Sequence, residues 1–367
     1  MSQEENNKKY FHALKLIPFL GPRRIKSLLD HFKTPLEAWR APRDELARLN
    51  GFGPSVAENF LRERSKIDPD QSWEEIEKKN ISVVSWDESA YPYLLKEIYD
   101  PPPLLYFQGD LSVLGKFCLA IVGSRRHTVY GKEIAYKFAK KISNYDLTIV
   151  SGMARGIDTW AHRGALDGGG KTAAVLGCGL DICYPAENRN LKQKISENGV
   201  VLSEFPPGVG PMPQHFPQRN RIISGLSLGT LVVEAGEKSG SLITAGFALD
   251  QGREVFAVPG AVGSPFSRGC HKLLKEGAKL VETVEDILEE LIIPLKAEPI
   301  ISETVPFQQN MGEKESELLD LIPYEPLLLE EIISRSKRNT AEVYLLLLEL
   351  ELSGKIRQLP GKYYMRI

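Results

Sequence analysis

The sequence predicts an α/β protein built on a Rossmann-like, mostly parallel, doubly wound sheet, with a helical segment before it and a winged-helix-like domain after it. Three observations carry this. From Lys116 to Leu291, apolar runs of strand length alternate with helical stretches, which implies a parallel sheet covered on both faces by crossover helices. Residues 1–70 hold short helical stretches broken by Pro and Gly. The last residues, 313–367, read as helices followed by a β-hairpin.

In chain order, Lys9 to Ile17 reads as a helix that stops at Pro18, and Gly21-Pro22-Arg23-Arg24 opens another through Phe32. Leu49-Asn50-Gly51-Phe52-Gly53-Pro54 has the spacing of a helix-hairpin-helix turn, where Gly lets a helix N-terminus approach a DNA phosphate. A plain turn between two packed helices fits the same residues. Residues 66–80 are a charged stretch. Ile81 to Ser85 is a strand, and Pro101-Pro102-Pro103 excludes helix and leads into a strand at Leu104–Phe107.

The sheet domain spans 81–291. Its strands are read at Cys118–Val122, Leu147–Val150, Ala173–Leu176, Val200–Leu202, Thr230–Val233 and Val255–Val258, with helices at Val129–Ile142, Ile157–Leu166 and Leu242–Gln251. Residues 292–312, with Pro294, Pro299 and Pro306, read as a linker. The final domain has helix-like pieces at Glu313–Leu321, Leu327–Ser334 and Thr340–Leu352, then strands around Pro360-Gly361. Its third helix is acidic and very apolar, a face suited to protein rather than duplex DNA.

Bulk composition bounds the function. The chain has 367 residues and a formal net charge of −2, so any nucleic-acid site must be a local basic patch. Hydrophobic content of 42% and charged content of 26% are those of a globular protein. No apolar run reaches the ~18 residues that span a bilayer, and the acidic start Met1-Ser2-Gln3-Glu4-Glu5 does not resemble a signal peptide. The four Cys are scattered without zinc spacing and are expected to be reduced thiols, which fits the cytoplasm. No membrane partner and no metal are expected.

The strand-to-helix turns carry the chemistry. They are Gly123-Ser124-Arg125-Arg126, Ser151 to Asp158 with Arg155, His215-Phe216-Pro217-Gln218-Arg219-Asn220-Arg221, and Lys238-Ser239-Gly240-Ser241. In a parallel sheet such turns lie at the carboxyl ends of strands and converge on one rim. Exposed backbone N–H groups, several Arg and no obvious nucleophile suit a chain of phosphates. Ser124 can bond a phosphate oxygen, and Arg125 can add a bidentate contact. Arg155 projects from a Gly-flanked loop. Phe216 beside Arg219, Asn220 and Arg221 offers base stacking with phosphate neutralisation; the alternative is a core aromatic and a buried Arg221. Ser239, Gly240 and Ser241 form an anion site at a helix N-terminus. Glu234 would need a cationic partner there, either Arg219 or Arg221. Asp158 and His162 read as structural, Asp158 as a helix cap.

Two cofactor readings fail. Gly123-Ser124-Arg125 is not Gly-x-Gly-x-x-Gly and no acidic residue clearly ends the next strand, so no dinucleotide cofactor is expected. Gly168-Gly169-Gly170-Lys171-Thr172 follows a helix and precedes a strand, the reverse of a P-loop, and Ala165 stands where its first Gly would be. It terminates a helix, and no ATP hydrolysis is expected.

Taken in order, these turns resemble the bacterial DprA/Smf family of DNA-processing proteins. The matching words are Ile121-Val122-Gly123-Ser124-Arg125, Ser151-Gly152-Met153-Ala154-Arg155-Gly156-Ile157-Asp158 with Ala161-His162, Gly177-Cys178-Gly179-Leu180-Asp181 with Tyr184-Pro185, Ser203-Glu204, His215-Phe216-Pro217 with Arg219-Asn220-Arg221-Ile222-Ile223, Ser239-Gly240-Ser241-Leu242-Ile243-Thr244, and Val258-Pro259-Gly260. The resemblance covers about 85–285. It implies a Rossmann-like domain that binds and protects single-stranded DNA and helps load the RecA recombinase during natural transformation. It also implies a homodimer and no catalysis. By the same resemblance, Gly123, Ser124, Arg125 and the Phe216, Arg219, Asn220 stretch form the DNA pocket. The chain departs from the family where a basic residue often follows Tyr-Pro and another precedes His-Phe-Pro; here stand Ala186 and Pro213-Gln214. The rival reading is a nucleotide-processing enzyme resembling the LOG phosphoribohydrolases, through Gly229-Thr230 and Glu234, although Gly225 and Gly229 are wrongly spaced for that loop.

Overall fold

A computed structural model describes residues 3–115, 117–291, 313–323, 327–352, 355–359 and 363–366. The expected linker at 292–312 and the Pro360-Gly361 turn lie outside the described residues. The chain forms two compact units, Met1–Glu298 and Pro299–Ile367.

The first unit begins with helices α1 (Gln3–Lys15), α2 (Pro22–Phe32), α3 (Pro35–Arg40), α4 (Arg43–Leu46), α5 (Pro54–Arg64) and α6 (Pro69–Lys78). Pro opens α2, α3, α5 and α6, where its fixed φ suits the first turn and its missing N–H leaves no partner unbonded. Helix α6 forms in the stretch that the sequence marked only as charged. Asp68 caps it by accepting from the N–H groups of Asp70 and Gln71. Phe11, Leu14 and Ile17 from the first helix region share one core with Tyr106, Ala174, Leu176 and Val201 of the sheet. The sequence set 1–70 apart as a domain; in the structure its apolar faces close against the sheet, and no break in the core falls near residue 70.

The sheet strands are β1 (Ser82–Ser85), β2 (Leu104–Gly109), β3 (Cys118–Val122), β4 (Thr148–Ser151), β5 (Thr172–Leu176), β6 (Val200–Ser203), β7 (Gly229–Val232), β8 (Glu254–Ala257) and β9 (Lys279–Leu280). Their order is β1-β2-β6-β5-β4-β3-β7-β8-β9. All pairs from β6 through β9 are parallel, and β1 and β2 add an antiparallel edge. The helices within and after it are α7 (Tyr93–Lys96), α8 (Val129–Ile142), α9 (Ile157–Asp167), α10 (Arg189–Asn198), α11 (His215–Gly225), α12 (Gly240–Asp250), α13 (Arg268–Lys275) and α14 (Glu285–Glu290).

Strand β3 shows how the sequence builds two layers. Its residues are all buried and alternate between faces. Cys118, Ala120 and Val122 share a core with Ile222 and Ile223 of α11, Ala245 of α12 and Leu273 of α13. Leu119 and Ile121 share the other with Phe138 of α8, Ala161 of α9 and Ile287 of α14. Each Val, Leu, Ile or Phe among them contributes about 1.5–3 kcal/mol when fully buried.

The second unit holds α15 (Glu313–Leu321), β10 (Leu327–Leu328), α16 (Leu329–Ser336), α17 (Thr340–Leu352), β11 (Ile356–Leu359) and β12 (Tyr363–Arg366), with sheet order β10-β12-β11. This is a winged helix. The apolar run of α17 is explained within the unit: Val343, Leu346, Leu347 and Leu350 recur at helical spacing and are buried with Leu318, Ile332 and Ile356.

Two buried histidines make the first unit acid-sensitive. His12 Nδ1 lies 2.8 Å from the Tyr106 hydroxyl. Thr172 gives its proton to the Ile149 carbonyl, so His162 Nδ1 donates to Thr172 Oγ1 at 2.7 Å and its buried Nε2 stays bare. Burial lowers His12 from 6.5 to about 4 and His162 from 6.5 to about 3. Both favour the fold while neutral, so stability present above pH 6.5 is lost as pH falls towards those values, by up to about 1.4 kcal/mol per pH unit for each. Urea unfolding between about pH 7 and about pH 5 should show a shallower loss for His12→Gln/His162→Gln. An identical loss in that variant contradicts this assignment.

Candidate nucleic-acid interface

Strand β3 is the sheet's switch point. Chain order runs from β3 to β6 on one side and from β7 to β9 on the other. Crossovers therefore leave β3 and β7 on opposite faces, and a crevice opens beyond their carboxyl ends. A cavity of about 850 Å³ lies here. Gly123, Ser124, Arg125, Arg126, Phe216, Arg219, Asn220, Lys238, Ser239, Gly240 and Ser241 all line it. The structure thus brings most of the sequence-predicted residues together.

The turn after β3 is fastened at both ends. Ser124 N–H donates to the Glu234 carbonyl at 2.7 Å, and Ile157 N–H donates to the Ser124 carbonyl at 3.2 Å. Gly156 makes the second contact feasible: its φ is +85°, and a Cβ there would sit 2.8 Å from Arg125 Cα. The Ser124 hydroxyl donates to the Arg126 carbonyl and accepts from the Arg126 N–H at 3.2 Å. It shapes its own turn, so Arg125 and Arg126 are left as the exposed groups.

Helix α11 supplies the facing wall. Its first residue, His215, stacks on Phe205 with centroids 4.2 Å apart. The Phe216 ring centroid is 5.1 Å from the Arg125 guanidinium and 5.5 Å from the Tyr184 ring, which is tilted 34° to it. Arg219 is buried. Its Nη1 donates to the Gly152 carbonyl at 2.6 Å and to the Val175 carbonyl, and Nε donates to Asn220 Oδ1 at 3.2 Å. A Cβ at Gly152 would lie 2.5 Å from that guanidinium, so only Gly leaves the space. Asn220 Nδ2 donates to the Gly240 carbonyl at 3.3 Å, tying α11 to the first turn of α12.

Ser239 caps α12 by accepting from Ser241 N–H at 3.4 Å, and the two hydroxyls lie 2.8 Å apart. Nothing lies within 4 Å of where a side chain would begin at Gly240, so the backbone there is open. Lys238 is exposed beside it. Among the described residues, no carboxylate lies within ion-pair distance of Arg125, Arg126 or Lys238.

Asp158 is the acid lining the cavity. It is buried, and its Oδ2 accepts from the N–H groups of Gly152 at 3.2 Å and Ala154 at 3.3 Å. Burial raises its pKa, and the Arg219 charge opposes that rise. Burial also lowers Arg219 to about 10, with Asp158 opposing, so Arg219 remains a cation at neutral pH.

Three expectations change. Arg221 does not reach the cavity. It is buried, donates to Glu204 Oε2 at 2.6 Å and to the Asp100 carbonyl at 2.8 Å, and lies 3.4 Å from Asp100 Oδ2. Helical geometry is the reason: Phe216, Arg219 and Asn220 share one face, whereas residue 221 lies about 140° around the helix from 216. Arg155 lines a small niche beside Tyr184 and Phe216, and it pairs with Glu187 at 2.5 and 2.8 Å. That pair is exposed, contributes little, and yields easily to a competing anion. Glu234 pairs with neither arginine. Its carboxylate accepts from Thr128 N–H at 2.9 Å and Thr128 Oγ1 at 2.5 Å, outside this cavity. Tyr184, 40% exposed, is the wall residue that the sequence offered only as part of a family word.

Residues 82–292 match the family described as DNA recombination-mediator protein A, and residues 307–362 match the DprA winged helix domain. The chain belongs to the DprA/Smf family. It is 43% identical over 348 residues to protein Smf of Escherichia coli K12, covering 92% of each chain. It is similar to the X-ray structure of DNA processing protein A from Streptococcus pneumoniae, with 40% identity and a TM-score of 0.69 over 77% of this chain and 97% of that one. DNA processing protein A from Helicobacter pylori, whose structure is described by its single-stranded DNA binding mode, matches at 31% identity and a TM-score of 0.53 over 57% of this chain and 95% of that one. Among the described residues no helix is long and apolar enough to cross a membrane.

Arg125 and Arg219 should separate cleanly in stability. Arg125→Ala removes an exposed side chain and should change unfolding free energy by no more than about 0.5 kcal/mol. Arg219→Ala leaves the buried Gly152 and Val175 carbonyls without this donor and should cost about 2–4 kcal/mol. Similar denaturation midpoints for the two variants would contradict the burial argument.

Proposed function

We propose that the cavity binds single-stranded DNA with little sequence choice, and that the protein shields this strand and helps place RecA on it during DNA uptake, acting as a homodimer in the cytoplasm. The observation that carries the DNA reading is the cluster of Arg125, Phe216 and Tyr184 in a cavity rimmed by cations without acidic partners among the described residues. Aromatic faces accept any unpaired base, worth about 1–3 kcal/mol each, while a duplex keeps its base faces stacked. Arg126, Lys238 and the open first turn of α12 suit the phosphates. The Helicobacter pylori relative's described single-strand binding supports the same ligand.

No bond-breaking step is assigned. Asp158 is held by two backbone N–H groups, and Glu234 is turned to Thr128. The carboxylate that the phosphoribohydrolase reading requires is therefore absent from the cavity among the described residues.

Fluorescence titration should show tighter binding to a labelled oligothymidylate than to a duplex of equal length; equal affinity would refute the single-strand reading. Arg125→Ala should lower the salt slope by about 0.7, one single-strand phosphate contact. Phe216→Ala should weaken binding by about 1–3 kcal/mol. Added to RecA and a strand coated with single-strand-binding protein, the protein should shorten the lag of filament growth. An unchanged lag would remove the loading role and leave binding intact.

A further inference from the structure

We propose a second nucleic-acid contact on the N-terminal helical segment, formed by the exposed face of α2 and by Tyr99, which takes up phosphates and a base of a strand too long for the first cavity. The ligand class rests on the function proposed above; the site rests on separate residues.

A cavity of about 470 Å³ is lined by Arg23, Lys26, Ser27, Asp30, His31 and Tyr99. The five α2 residues recur at i, i+3, i+4, i+7 and i+8, so they form one stripe along the helix. The opposite stripe, Ile25, Leu28 and Phe32, is buried. Tyr99 is 84% exposed, and the Arg23 guanidinium lies 5.0 Å from its ring centroid. This repeats the pairing of Arg125 with Phe216 in the first cavity.

Among the described residues, neither Arg23 nor Lys26 has a carboxylate within ion-pair distance. Asp30, one turn beyond Lys26, is the acid of the lining. Helix α2 has no acidic residue in its first turn, where a carboxylate would favour the helix dipole and a cation opposes it. Arg24 has a structural use there, since it donates to the Phe19 carbonyl at 2.9 Å. Arg23 contacts only the exposed Tyr99 ring among the contacts described. That contact leaves the Arg23 guanidinium without a carboxylate among the described residues and able to meet an arriving phosphate.

Tyr99 is held in place from below. The next residue, Asp100, is bound by the buried Arg221 guanidinium. Ser27 donates to the Asn50 carbonyl at 3.4 Å, which sets the Gly51–Gly53 turn, singled out in the sequence for phosphate approach, beside the same helix.

The test uses the full chain and labelled oligothymidylates of about 6 and about 30 nucleotides, the shorter filling one site and the longer able to reach two. Arg23→Ala/Lys26→Ala should leave short-strand binding unchanged. It should weaken long-strand binding roughly 3- to 10-fold and lower its salt slope by about 1.4, two phosphate contacts. Unchanged affinity and slope for the long strand would overturn the proposal. Arg125→Ala, measured alongside, should weaken both lengths. If it weakens neither while the double variant still weakens the long strand, the first cavity fails and the α2 contact stands. As an independent readout, light-induced crosslinking from 5-iododeoxyuridine in the long strand should reach Tyr99 and be lost in the double variant. Crosslinks elsewhere with none at Tyr99 would also overturn it.

Discussion

Beneath helix α11 the buried guanidinium of Arg219 donates to carbonyls at Gly152 and Val175, the residues at the ends of β4 and β5. Those bonds tie α11, the crossover helix between β6 and β7, to the carboxyl ends of β4 and β5. The long proline-rich loop before it then delivers Phe216 opposite Arg125. A buried cation is expensive to desolvate, and here two carbonyls and the Asp158 charge offset that cost. Arg219 lines the first cavity from this satisfied position, and a Cβ at Gly152 would crowd its guanidinium there.

One helix organises two surfaces. On one face α11 carries Phe216, Arg219 and Asn220 to the first cavity, and Asn220 couples it to the start of α12. From the other side, Arg221 binds Glu204 and Asp100 and so fixes the loop that presents Tyr99. The buried ion group holds α11 in rotation. Any change that turns the helix would disturb both surfaces at once, since their residues differ only by angle around a common axis.

The arginines show where residue type stops being informative. Arg125 and Arg155 sit in strand-to-helix turns, whereas Arg219 and Arg221 lie within helix α11. Only Arg125 is exposed over an aromatic ring without a carboxylate. Arg155 is exposed with Glu187, and the other two are interior. Counting spacing along α11 would have put Arg221 on the far face; Arg219 carried no such signal, because its burial depends on Gly152 and Val175, distant in sequence. Helix α6 was hidden by its charge, although Asp68-Pro69 marks a capped start.

The sequence by itself determined the fold class and the types of most sheet-domain elements, because periodicity, Pro and Gly placement and helix caps act over a few neighbouring residues. Alternating buried runs dictated a parallel sheet, and the small, basic turns dictated a rim able to meet anions. Tertiary structure alone decided which cations face solvent, which acid each one meets, and that residues 1–70 share a core with the sheet. Those outcomes depend on what packs opposite a side chain from elsewhere in the chain, and no local pattern encodes that neighbour.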